Sequence, residues 1–148
     1  MQHIMDTLTL REAGPGDSAF AYRVKRAAFK PYAEGTWGWD EDEQRRHHAR
    51  RFAAQEFRII NAGGVDVGVV ALAVAANCVK LNQMFILPEH QGRGIGRRCM
   101  GLIIDEARQL GRPIRLRVLK VNPRAVAFYQ RLGFARTGET DTHVLMER

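Results

Sequence analysis

From Val79 the chain reads as a strand to Leu87, breaks across Pro88-Glu89-His90-Gln91-Gly92-Arg93-Gly94-Ile95-Gly96-Arg97, and resumes with Ile95, Cys99, Leu102, Ile103 and Leu110 at helical spacing. Gly111 and then Pro113 end that helix. A strand that turns through glycines into a helix leaves backbone N–H groups free at the helix start, where the dipole also favours negative charge. The glycines let a ligand approach the backbone closely, and Arg93 and Arg97 add charge that suits a diphosphate better than a single carboxylate. Spacing excludes two common phosphate loops. No run reads Gly, four residues, Gly-Lys-Ser/Thr, and Arg97 stands where the dinucleotide fingerprint needs a glycine.

The same reasoning orders the rest of the chain. Thr7 to Arg11 can open as a strand, Gly14-Pro15-Gly16 breaks it, and Asp17 can cap a helix burying Phe20, Val24 and Ala27 or Ala28. A second helix is expected from Asp40 to about Ala54, with Pro31 to Gly38 as a loop between the two. Phe57 to Ala62 and Val65 to Ala75 read as strands joined at Gly63-Gly64, a pair suited to a hairpin turn. Asn82 and Gln83 interrupt the apolar strand that follows. They fit either a bulged or splayed strand whose amides face a ligand or the exposed face of an edge strand. Ile114, Leu116 and Val118 alternate with Arg115 and Arg117 as a half-buried strand. Asn122 and Pro123 fit the cap and first position of a helix closing at Gly133, and Phe134 to Thr137 and Thr142 to Met146 complete the sheet.

At 148 residues the chain fits one domain, residues 1–148, because single cores usually run to ~100–200 residues. An apolar share of 45% with 26% charged residues excludes a disordered chain, and no stretch approaches the ~20 apolar residues of a membrane span. Met1 to Leu10 lacks the basic start and apolar run of a secretory leader. Cys78 and Cys99 alone do not make a disulfide framework, so the expected location is cytoplasmic. All of the 23 basic residues except Lys25, Lys30, Lys80 and Lys120 are Arg, and the net charge is +7. That balance points to an anionic partner, a phosphate-rich cofactor or nucleic acid, or else to a solvated Arg-rich surface.

Gln91, Gly94 and Gly96 resemble the acyl-CoA signature of the GNAT superfamily of N-acetyltransferases, Gln or Arg, two residues, Gly, one residue, Gly or Ala. About thirty residues on, Asn122-Pro123-Arg124-Ala125-Val126-Ala127-Phe128-Tyr129 with Leu132-Gly133-Phe134 resembles that family's second CoA-contacting segment. The resemblance is close over Val65 to Met146 and rests on element order before that. It implies an α/β (α+β) fold with a mixed, mostly antiparallel central sheet flanked by helices. It also implies acetyl-CoA as co-substrate with no metal, and an amine as acetyl acceptor, on a small molecule or a protein. Residue by residue, pantetheine would pair with the backbone at Phe85 and Ile86. Gln91, Gly92, Arg93, Gly94, Gly96 and Arg97 would hold the pyrophosphate, Asn122 would contact the pantetheine arm and Phe128 would pack on the cofactor. Tyr129 would protonate the departing thiolate. Each has a purely structural alternative: Asn122 as a helix cap, Phe128 as core, Tyr129 as a half-buried aromatic bonded to the backbone.

Direct attack by a neutral amine needs a route for its proton. Many members of the resembled family place a Glu on the splayed strand, where this chain has Asn82 and Gln83. The remaining acids near the expected acceptor site lie in Tyr32-Ala33-Glu34-Gly35-Thr36-Trp37-Gly38-Trp39-Asp40-Glu41, where carboxylates and indoles together suit a cationic amine. Glu34 is therefore the candidate proton relay, and Trp39, Asp40 and Asn82 are candidate acceptor contacts. Asp40 can equally cap the second helix, with Glu43 completing the box. His47 and His48 lie among Arg45, Arg46, Arg50 and Arg51 and read as a solvated cationic face. Competing functions are an acyl-CoA sensor or partner subunit without catalysis, a nucleic-acid module footed on the Arg45 to Arg51 run, and transfer to a hydroxyl. A homodimer is compatible with the resemblance, and no membrane partner is expected.

Overall fold

The computed structural model describes residues 7–148. The first six, which carry part of the reading against a leader, lie outside the described residues. The elements are Leu8–Glu12 (β1), Ser18–Trp37 (α1), Glu41–Ala54 (α2), Glu56–Ala62 (β2), Val65–Val74 (β3), Val79–Ile86 (β4), Ile95–Leu110 (α3), Ile114–Leu119 (β5), Pro123–Arg131 (α4), Ala135–Glu139 (β6) and His143–Glu147 (β7). This is the expected order. The strands form one seven-stranded sheet, β1-β2-β3-β4-β5-β7-β6, in which every neighbouring pair is antiparallel except β4 and β5. Gly63 and Gly64, at φ 60 and 88, make the β2–β3 turn, whose twist requires positive φ at both central residues.

Both faces of the central strands are buried. Ile60, Val70 and Leu72 pack with Cys99, Met100, Ile103 and Ala107 of α3, whereas Ile59, Val69 and Ala71 pack with Ala21 and Val24 of α1. Adjacent side chains point to opposite faces, so each of these strands serves two cores. Burying one such aliphatic side chain contributes ~1.5–3 kcal/mol, which holds α1 and α3 on opposite sides of the sheet.

Four local expectations change. Pro31 to Gly38 is not a loop: α1 continues through Pro31 to Trp37, and Gly38, at φ 80, closes it with its N–H on the Glu34 carbonyl at 3.1 Å. Proline removes one helical hydrogen bond, and Ala33, wholly buried beyond it, keeps the last turns packed. Asp17 occupies the N-cap position of α1 but makes no side-chain cap, because its carboxylate accepts from the Gly14 N–H and from Arg11. On that helix Ala27 is exposed, while Tyr22 and Lys25 are buried. His48 is also buried, among Tyr22, Phe52 and Phe57, with Nε2 3.0 Å from the Ser18 hydroxyl. Glu41 clamps α1 to α2 by accepting from the Tyr22 hydroxyl at 2.6 Å, Trp39 Nε1 at 2.8 Å and Arg26 at 3.1 Å, and these donors hold its pKa down at about 2.

Of the two explanations for Asn82 and Gln83, the sheet rules out the edge strand and shows the bulge. Strand β4 is central, not an edge. Ala71 pairs with Gln83 and Leu72 with Leu81, so Asn82 is the extra residue of a bulge. Beyond Leu81 and Leu116 the parallel β4–β5 pairing stops and the strands part. Behind the parted segment β3 comes very close, since a Cβ at Gly68 would lie 2.4 Å from the Phe85 carbonyl oxygen.

Candidate active site

The parting of β4 and β5 opens a cleft of about 1510 Å³. That exceeds the ~300–1,000 Å³ typical of drug-sized ligands, so it has room for a long ligand and an acceptor together. One end is the head of α3. Gly94 caps this helix in the left-handed conformation, with no side-chain cap, and Gly92 is left-handed too. Among the described residues no acceptor is paired with the backbone N–H groups of Gly92 through Arg97; the first helical bond is Arg98 N–H to the Gly94 carbonyl at 3.1 Å. A run of unpaired donors at a helix start is what a diphosphate requires.

Most of the residues expected around a CoA thioester come together here. Phe85, Ile86, Gln91, Gly92, Gly94, Gly96, Arg97, Asn122, Phe128 and Tyr129 all line the cleft, whereas Arg93 is exposed and does not. The Gln91 side chain turns back, its Nε2 donating to the Ile86 carbonyl at 2.9 Å, so it braces the turn. Asn122 is the cap of α4, its Oδ1 accepting from the Ala125 N–H at 3.2 Å, which leaves its amide NH2 for the cleft. A Cβ on Gly96 would stand 3.4 Å from Ile86 Cδ1 and 3.5 Å from Phe128 Cζ, so the cleft wall closes directly on this glycine.

Tyr129 packs edge-on against Phe128 and Phe134 and is 8% exposed. Its hydroxyl has no hydrogen-bond partner among the described residues. Burial, helped by nearby Cys99, pushes its pKa well above that of an ordinary phenol, so it stays protonated. The arrangement can donate a proton or hydrogen bond into the cleft. It cannot act as a base near neutral pH.

The expected acceptor contacts are only partly gathered. Asp40 lines the cleft, but its Oδ1 accepts from the Glu43 N–H at 3.0 Å as the cap of α2. Asn82 lines it from the bulge. Glu34 is exposed on α1 and does not line the cleft, because the continuous helix turns it outward. Trp39 is also absent from the lining, its indole N–H being held by Glu41. The Arg45 to Arg51 run divides: the Arg45 guanidinium lies 4.7 Å from the Tyr22 ring centre, and Arg51 reaches the cleft.

Sequence reasoning missed Lys25, Arg51 and Arg117 as lining residues, whereas Gln83 lines the cleft as the bulged-strand reading expected. Lys25 was legible in principle, since it follows Val24 and falls four residues after Ala21 on the buried stripe of α1. The cleft also draws Trp37 across to β7, where it packs on His143 with ring centres 5.8 Å apart. Among the described residues no group of three His, Cys, Asp or Glu side chains could hold a metal, and no helix is long and apolar enough to cross a membrane.

Comparison with known proteins gives a family. A model described as the acetyltransferase (GNAT) family matches residues 21–134. The L-amino acid N-acyltransferase MnaT of Escherichia coli is 32% identical over 59 residues, which are 39% of this chain and 34% of that protein. The matched stretch thus spans about a third of this curated relative. Among solved structures, the PaiA N-acetyltransferase of Thermoplasma acidophilum in complex with coenzyme A superimposes with TM-score 0.76 at 19% identity, covering 96% of this chain and 98% of that one. The ribosomal-protein-S18-alanine N-acetyltransferase of Escherichia coli superimposes with TM-score 0.74 at 20% identity, covering 95% and 92%.

Proposed function

The chain belongs to the acetyltransferase (GNAT) family, and from that premise we propose that it moves the acetyl group of acetyl-CoA to an amine by direct attack within one ternary complex. The observation that carries this reading is the run of unpaired N–H groups from Gly92 to Arg97 opening onto the cleft between β4 and β5. Those donors and Arg97 would bind the diphosphate. Asn122 would offer its amide NH2 to the pantetheine arm, and Phe128 would pack beside it. The parted edge of β4 around Phe85 and Ile86 has lost its β5 partner, and although Gln91 Nε2 occupies the Ile86 carbonyl, the other edge groups would let a linear ligand add as a strand.

When bound, acetyl-CoA supplies a thioester whose carbonyl carbon takes the amine nitrogen as the carbon–sulfur bond breaks and its electron pair leaves on sulfur. The Tyr129 hydroxyl, kept protonated by burial, would donate a proton to the departing sulfur. A backbone N–H near Phe85 would stabilise the developing oxyanion. The acceptor nitrogen must give up a proton. Glu34 stands outside the cleft lining, so the proton would leave through water in the open end of the cleft.

Thiol release with acetyl-CoA and a panel of amines tests the reading. Turnover that Tyr129→Phe lowers ~100-fold with little change in KM for acetyl-CoA is the expected result. Binding of acetyl-CoA with no transfer to any amine would instead support a sensor. The relatives named above act on acceptors as different as free amino acids and a protein alanine, so the acceptor class must be sought in this cleft.

A further inference from the structure

The side of the cleft away from α3 is built of unpaired cations. Leu116 and Val118 of β5 belong to the core beneath α3, so Arg117 between them points to the opposite face, the one α1 and α2 cover. Gln83 points to that face too, since it pairs with Ala71 in the α1 core. Lys25 from α1 and Arg51 from α2 line the cleft above them, and the largely exposed Trp37 packs on His143 at the β7 end. Lys25 is 2% exposed. Among the described residues Lys25, Arg51 and Arg117 form no ion pair. The three acids that line the cleft are engaged elsewhere: Asp40 caps α2, Glu43 lies 3.5 Å from His47, and Glu147 lies 2.6 Å from Arg115.

Like charges that line one cleft without a counter-ion are unfavourable, most of all for a buried member such as Lys25. The same repulsion lowers the pKa values of the group. Burial and then Arg51 pull the Lys25 pKa down to about 8, while Arg117 lowers Arg51 and His143 after burial. An anion would satisfy all three cations, and a guanidinium pair suits the planar fork of a carboxylate or the oxygens of a phosphate. The phosphate nest at the head of α3 does not explain them, because α3 packs on the other face of the sheet. Gln83 adds a second point of recognition. It is 6% exposed, lines the same cleft, and neither its Oε1 nor its Nε2 has a partner. Gln55 Oε1, also in the lining, is likewise buried and unpartnered.

We propose that the acceptor is an amine that also carries an anionic group, carboxylate or phosphate, with the anion held by Lys25, Arg51 and Arg117 and the amine hydrogen-bonded to Gln83. This replaces the expectation of a purely cationic amine drawn to Glu34, Trp39 and Asp40, and it rests on the acetyl-transfer reading above.

The test is thiol release from acetyl-CoA with L-amino acids against their α-amides, and with O-phosphoethanolamine against ethanolamine. The expected result is a kcat/KM about tenfold or more higher for the anionic member of the preferred pair, and which pair responds identifies the anion. Arg51→Gln and Arg117→Gln change exposed side chains and should fold. Each should raise KM for the anionic amine about tenfold and leave KM for acetyl-CoA unchanged. Equal or better turnover of the neutral amines by a protein that binds acetyl-CoA overturns this proposal alone, as do variants with unchanged KM. A protein that fails to bind acetyl-CoA in a calorimetric titration overturns the transfer reading, and this proposal with it.

Discussion

Lys25 shows how one side chain ties stability to the site. Buried on α1 and faced by Arg51 and His48 of α2, it has a folded pKa of about 8 against an ordinary 10.5. Because the folded value is the lower one, the unfolded chain binds the extra proton between about 8 and 10.5, and the contribution of Lys25 to stability rises with pH across that window. Below about 8 both states are protonated and the unfavourable term is constant. Denaturant titrations of Lys25→Met should therefore lie above the wild type by at most ~3 kcal/mol near pH 7 and lose that advantage towards pH 10.5. A constant difference would mean that Lys25 is not the titrating group. Glu34 makes the opposite case at the same scale. Exposed and outside the cleft, its change to Gln should alter turnover by no more than about twofold, the scale of a surface substitution. A large loss of kcat would restore it as a relay.

Elements were read well where periodicity or turn chemistry was strong. The glycine pair at 63–64, the left-handed cap at Gly111 and the Asn122 and Asp40 caps each stand where local chemistry puts them. Helix α1 was misread because proline and glycine are read locally as breakers, whereas burial of Ala33 and the contacts of Tyr32 and Trp37 over the cleft are tertiary. That extension moved Glu34 out and Trp37 across to β7. Gly68 could not be read at all, since only the packed sheet brings the Phe85 carbonyl within 2.4 Å of its absent Cβ. Gly68→Ala should lower stability by roughly 2 kcal/mol or more, seen as a fall in Tm, because the clash is with backbone that cannot rotate away. A neutral substitution would mean that β4 yields easily behind the cleft.

At the scale of the molecule, the strand–glycine–helix unit carried most of the inference. It fixed where donors gather, and the second segment from Asn122 to Tyr129 fixed what lies opposite. The sheet order and the cations that line the cleft beneath α1 and α2 were not legible, because both depend on which strands part and which alternate residues then face those helices. The measurement that bears most directly on the whole is calorimetric titration of the protein with acetyl-CoA, alongside Gly94→Glu. A Cβ at Gly94 meets open space, so the variant should fold with only the strain of its positive φ while placing a carboxylate in the donor run. Saturable binding to the wild type that the variant abolishes is the predicted result; no binding to the wild type, or equal binding to both, would contradict it.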